Sequence, residues 1–197
     1  MATALNRFVC ESTSSHYRPD GAHVVQFYTR DAVLLDGLSV SLGAALQAGE
    51  SVVAVMTKAH TKNLLKRFTA RGIDTAELTK EGRLTILDAS EALAIFMTPH
   101  GPDRQRFLRE FGAFIRKAAA AAVDKDKRAV VFGEMVAVLW AQEKFDAAIR
   151  LEELWNELAR THFFSLRCAY PAKAFRGKTK AEPYATICAE HSVVVPA

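Results

Sequence analysis

The sequence predicts an α/β protein with an open, mostly parallel sheet flanked by helices on both faces. Three observations carry this prediction. Strand-like runs of β-branched and aromatic residues alternate with helical patterns several turns long, which calls for parallel pairing with right-handed crossovers. The run Ser51 to Thr57 is nearly continuous in apolar residues, as in a strand covered on both faces. The 197 residues are 50% hydrophobic and 24% charged, which excludes disorder and fibrous repeats and suits one core.

In chain order, residues 1–20 are expected to form a polar arm and residues 21–197 a single domain. His23-Val-Val-Gln-Phe-Tyr28 reads as a strand, and Thr29-Arg30-Asp31 as a turn. Val33, Leu34, Leu38, Leu42, Ala45 and Leu46 recur at helical spacing, with Gly49 as C-cap. The second strand, 51–57, precedes a helix over 58–70 that places Leu64, Leu65 and Phe68 on one face. Residues 75–82 read as a polar connector and 83–88 as the third strand. Thr98-Pro99-His100-Gly101-Pro102 breaks the chain, and Asp103 caps a helix whose stripe is Phe107, Leu108, Phe111, Phe114, Ile115 and Ala118. Residues 128–132 are the fourth strand. A helix over 143–160 buries Ala148, Leu151, Leu154, Trp155 and Leu158, and 163–170 is the fifth strand. Beyond Pro171 come a basic loop (Arg176, Lys178, Lys180), a short helical segment near 184–190 and a tail from His191. Residues 172–197 are thus expected to be a C-terminal extension packing on the domain.

The net charge of +4 is spread along the chain, so direct nucleic-acid binding is not indicated. Cys10, Cys168 and Cys188 form no C-x-x-C pair, and neither a secretory signal nor a long apolar run occurs. A cytoplasmic protein without a membrane span is expected.

Several motifs fail. Gly177-Lys178-Thr179 looks like the end of a P-loop, but the position that needs the first glycine holds Ala172, after the last strand rather than the first. The turn Tyr28 to Asp31 has no glycine to wrap a phosphate, and Leu84 to Asp88 is only a buried strand reaching a polar edge. Six histidines show no metal-ligand spacing, and Cys188-x-x-His191 alone offers two ligands. No metal and no other cofactor is expected, and no catalytic residue is nominated.

In open α/β sheets ligands bind beyond the carboxyl ends of the strands. This nominates Tyr28, Thr29, Arg30, Thr57, Lys58, His60, Asp88, Glu134, Met135 and Tyr170, although strand ends also simply emerge into water. Glu134, after Gly133, could accept a hydrogen bond or a proton, and its ordinary role is a helix-start carboxylate near the amides of Val136 and Ala137. Glu152 and Asn156, four apart on a helix, could be a buried polar pair, the commoner outcome being a solvated flank. His23 and Tyr28 fall on opposite faces of their strand, roughly 16 Å apart. Cys168 and Tyr170 share a face and could line one wall, with a core cysteine as the ordinary reading.

The segments His23 to Tyr28, Gly49-Glu50, Gly133-Glu134-Met135, Leu151 to Asn156, Cys168-Ala169-Tyr170 and Ile187 to His191 together resemble the MEDS family. This is the sensory domain of methanogens, methylotrophs and the dichloromethane-dehalogenase regulator. The resemblance spans about residues 20–195. It implies a RecA/KaiC-like core that has lost its phosphate-binding loop and senses small molecules in prokaryotic signalling. It points to His23, Tyr28, Glu134, Glu152, Asn156, Cys168, Tyr170 and His191 as functional or fold-defining positions. The ends look too short for a kinase or helix-turn-helix module. The expectation is therefore a non-enzymatic sensor that signals to a histidine kinase or transcription regulator in trans, or to a second copy of itself. The segment after Tyr170 is its candidate switch. The alternatives are a nucleotide-binding enzyme using Asp88 and Glu134, and an interaction module without a ligand.

Overall fold

The computed structural model describes residues 21–175 and 181–197; the polar arm, the basic residues Arg176, Lys178 and Lys180, and the Gly177-Lys178-Thr179 motif lie outside the described residues. The elements run β1 (His23–Tyr28), α1 (Asp31–Gln47), β2 (Ser51–Met56), α2 (Lys58–Ala70), α3 (Thr75–Lys80), β3 (Leu84–Asp88), α4 (Ala89–Phe96), β4 (Met97–Thr98) and β5 (Gly101–Pro102). They continue with α5 (Arg104–Ala121), β6 (Ala129–Gly133), α6 (Met135–Ala141), α7 (Phe145–Ala159), β7 (Phe164–Pro171), α8 (Ala181–Ala189) and β8 (Val193–Val195). Six strands form one parallel sheet in the order β3-β2-β6-β7-β1-β8, and β4 and β5 make a small separate antiparallel pair.

The alternation of side chains along the strands divides the core in two. Every residue of β2 is buried. Val52, Ala54 and Met56 pack with Leu34, Leu38, Leu42, Leu64 and Phe68 of α1 and α2. Val53 and Val55 face the layer of α4 to α8, where Trp155 meets Phe107 and Phe111 edge to face at 5.0 and 5.2 Å. The sheet is thus covered on both faces, as the continuous apolar strand requires.

Five segments differ from their expected form. The polar stretch 75–82 holds α3, which buries no residue and is started by Asp74, whose Oδ1 accepts from the amides of Ala76 and Glu77. Capping rather than an apolar stripe makes it helical. Residues 89–96 and 135–141 are the helices α4 and α6, each beginning directly after a strand. The break at 98–102 is the turn of the β4–β5 hairpin. In the tail, Val193 to Val195 pair with Val24 to Gln26 and supply the sheet's edge strand.

Gly49 follows the α1 C-cap, Ala48, at φ +90°. Its carbonyl accepts from the amides of Val123 and Asp124, and a Cβ there would stand 3.1 Å from the Asp124 nitrogen. Only glycine lets the end of α5 close on the entry to β2. Among the described residues no helix is long and apolar enough to cross a membrane.

Candidate functional site

Two polar clusters lie on opposite faces of the sheet. The first gathers at the carboxyl ends of β1, β2 and β6. Glu134, buried, begins α6 without capping it; its carboxylate crosses to the neighbouring strand end. Oε2 accepts from the Thr57 amide at 2.8 Å, and Oε1 accepts from His60 Nδ1. This replaces the ordinary helix-start role: the carboxylate satisfies the amide ahead of α2 instead of those of α6. Thr57 itself caps α2, its hydroxyl accepting from the His60 amide at 3.4 Å. The far nitrogen of His60 stands 3.4 Å from Asp31 Oδ2, on an exposed side chain, and the Tyr28 ring lies edge-on to the imidazole at 6.4 Å. Glu134's hydrogen bond raises the His60 pKa above its ordinary value against the lowering effect of burial, with further help from Asp31. Burial pushes the Tyr28 phenol up as well, and the charges of Glu134 and Asp31 add to this. The result is an imidazole between two carboxylates, sealed on the Glu134 side and open on the Asp31 side.

The other strand-end nominees are not brought together with it. Arg30 is exposed and precedes α1 without a side-chain cap bond. Asp88 caps α4 through the amides of Ser90 and Glu91 at 3.0 Å. With Lys58 it borders a shallow depression of about 390 Å³, and Lys58 pairs with Glu91 at 3.1 Å, both exposed. Met135 is 1% exposed and belongs to the core. The structure also has a surface groove of about 650 Å³ between the β4–β5 hairpin and the start of α7, lined by His100, Lys144 and Arg150 among others. Sequence reasoning did not find it, because it depends on a hairpin that reads only as a break.

The second cluster lies in the α7–α8 layer and centres on Glu152, which is fully buried rather than on a solvated flank. Tyr170 donates to its Oε1 at 2.9 Å and the Cys168 thiol donates to its Oε2 at 3.2 Å. The same Oε2 stands 3.2 Å from His23 Nε2 and 3.5 Å from His191 Nε2. Asn156 and Glu152 are not bonded to each other. They hold opposite nitrogens of one ring, with His23 Nδ1 2.8 Å from Asn156 Oδ1. Asn156 Nδ2 donates to the carbonyl and the carboxylate of Glu190, both at 2.9 Å, so its oxygen must face His23, and Nδ1 carries the proton. His191 Nδ1 likewise donates to the Ile187 carbonyl at 2.6 Å. The four side chains His23, Glu152, Cys168 and His191 offer metal-ligating atoms that all lie within 4.8 Å of one another.

Burial alone would raise the Glu152 pKa, but His191, His23 and Tyr170 together hold the carboxyl below its usual range. Burial and the Glu152 charge push Cys168 and Tyr170 well up, and burial pulls His191 down. A carboxylate is therefore kept ionised in the interior by partners contributed from β1, β7 and the segment after α8.

The fold and these strand ends define a RecA-type α/β domain whose first strand leads into its helix through Thr29 and Arg30 alone, with no room for a phosphate-wrapping loop. A KaiC-like protein from the hyperthermophilic archaeon Pyrococcus horikoshii has a similar crystal structure, with a TM-score of 0.54 at 16% identity over 90% of this chain and 74% of that one. At that identity the likeness is one of fold. The profile of the MEDS family, the methanogen/methylotroph, DcmR sensory domain, matches residues 22–186, and the chain belongs to this family. No curated protein matches it.

Proposed function

We propose that this MEDS domain is a non-enzymatic sensor that takes a small organic ligand at the carboxyl ends of β1, β2 and β6. It passes the change to a signalling protein in trans, a histidine kinase or transcription regulator, or to a second copy of itself. The observation that carries this reading is the His60 imidazole between buried Glu134 and exposed Asp31, beside half-buried Tyr28. A compact ligand with a hydroxyl, carbonyl or amine could replace Asp31 as the partner of His60 Nε2 and rest its carbon atoms on the Tyr28 ring. The short β1–α1 link supports a ligand other than a nucleotide.

Native mass spectrometry of the gently purified chain, set against its denatured mass, tests the reading and counts subunits. A small mass released on denaturation, and missing from His60→Ala, is the expected result. An empty chain whose melting temperature is moved by none of a panel of short alcohols, aldehydes and amines at millimolar concentration overturns it.

A further inference from the structure

We propose that His23, Glu152, Cys168 and His191 form a four-coordinate site for a divalent transition-metal ion of the zinc type, clamping the segment after α8 onto β1 beneath the sheet. The site is independent of the strand-end ligand.

The first ground is geometric. A tetrahedral ion with bonds of about 2.0–2.3 Å to N, O and S holds its ligand atoms about 3.3–3.8 Å apart. The observed separations from Glu152 Oε2 are 3.2 Å to Cys168 Sγ, 3.2 Å to His23 Nε2 and 3.5 Å to His191 Nε2, and Cys168 Sγ lies 3.5 Å from His23 Nε2. The remaining pairs fall within 4.8 Å. Movements of a few tenths of an ångström to about one ångström would complete the polyhedron.

The second ground is where the protons sit. His23 Nδ1 donates to Asn156 and His191 Nδ1 to the Ile187 carbonyl, so each ring turns its Nε2, the nitrogen that ligates once it carries no proton, to the centre. His191 Nε2 is buried and makes no hydrogen bond with a described residue. Tyr170 binds the other oxygen of Glu152 and leaves Oε2 free to ligate. Two imidazole nitrogens, a carboxylate oxygen and a thiol sulfur thus converge on one point in the interior. Ligating histidines held by an acceptor at the far nitrogen are the usual support of such a site.

The donor set of two imidazoles, one thiolate and one carboxylate suits a borderline ion better than magnesium or calcium. On binding, the Cys168 thiol yields its proton to solvent and its sulfur becomes a ligand. Four protein ligands leave no open position, the hallmark of a structural ion. Its effect on the fold follows from position: Ser192, next to His191, donates through its amide and its hydroxyl to the His23 carbonyl, each at 2.9 Å.

The test uses the whole chain. Its metal content is measured per chain by plasma mass spectrometry after purification without chelator, and the stripped protein is then titrated with cobalt(II) alone. Near one equivalent of metal is expected, with visible tetrahedral cobalt bands and a near-ultraviolet thiolate-to-cobalt band that saturates at one equivalent. Cys168→Ser should abolish the near-ultraviolet band. Asn156→Ala, which keeps all four ligands, should weaken cobalt binding about 10–100-fold with the spectrum preserved. A chain that holds no metal and takes up no cobalt overturns the proposal and leaves a shared proton at the centre. A cobalt spectrum indifferent to Cys168→Ser overturns it too, because the ion then sits elsewhere.

Discussion

The two polar clusters use the same chemistry, a buried glutamate against imidazole, in opposite settings. Glu134 is gripped by residues at the ends of neighbouring strands, and its histidine reaches an exposed carboxylate. Glu152 is gripped by four residues from three separate segments, and every one of its neighbours is itself held by the interior. The first can exchange a partner with solvent at little cost, whereas the second cannot change without moving the tail of the chain. A site that must respond and a site that must hold are distinguished by their exposure rather than by their residue types.

Substitutions should separate the two. Glu152→Leu strands the Tyr170 hydroxyl and both imidazoles in the interior, and should lower unfolding free energy by about 3–5 kcal/mol in urea titrations. Glu134→Leu frees the part-buried Thr57 amide and one nitrogen of His60, whose other nitrogen still reaches exposed Asp31, and should cost about 1–3 kcal/mol in the same measurement. If the two losses prove equal, the contrast in burial has no energetic meaning. Asp88→Ala should cost about 1 kcal/mol, the worth of one helix cap, whether or not a ligand is present. The smallest effect concerns pH. His60 titrates above its ordinary value when folded, so its contribution is complete below about pH 6.5 and is lost as pH rises through the raised value. The melting temperature of the parent chain should therefore fall relative to that of His60→Gln between pH 6 and pH 9. Parallel profiles would show that Glu134 and Asp31 do not hold the proton.

Much of the frame was legible in the residues. The sequence pattern places α2 at Lys58–Ala70 as observed, because Thr57 before it and Arg71-Gly72 after it punctuate a plain amphipathic run. The helix α4 was not legible, since it starts without a loop and Asp88 reads as a strand end, and of α6 only the start at Glu134 was legible, not its extent. β8 is three valines in a tail, too short to announce itself before β1 is known to be its neighbour. Of the buried cluster, the halves were visible and the whole was not. Strand alternation puts Cys168 and Tyr170 on one face, and helical spacing aligns Glu152 with Asn156, but the convergence of His23 and His191 depends on the strand order. The family resemblance assembled the same residues without a reason for their association, and the topology supplies it.

The position of β1 also dictates when the protein can be finished. Its partners β7 and β8 both come from the far end of the chain, whereas β2 and β3 pair with each other early. During synthesis β1 must stay unpaired while everything between Tyr28 and Phe164 is made, on the order of ten seconds at ribosomal speed. Among the described strands, the first to be made is therefore among the last to be enclosed. Its exposed apolar edge through that interval is where a chaperone would bind a nascent chain of this design.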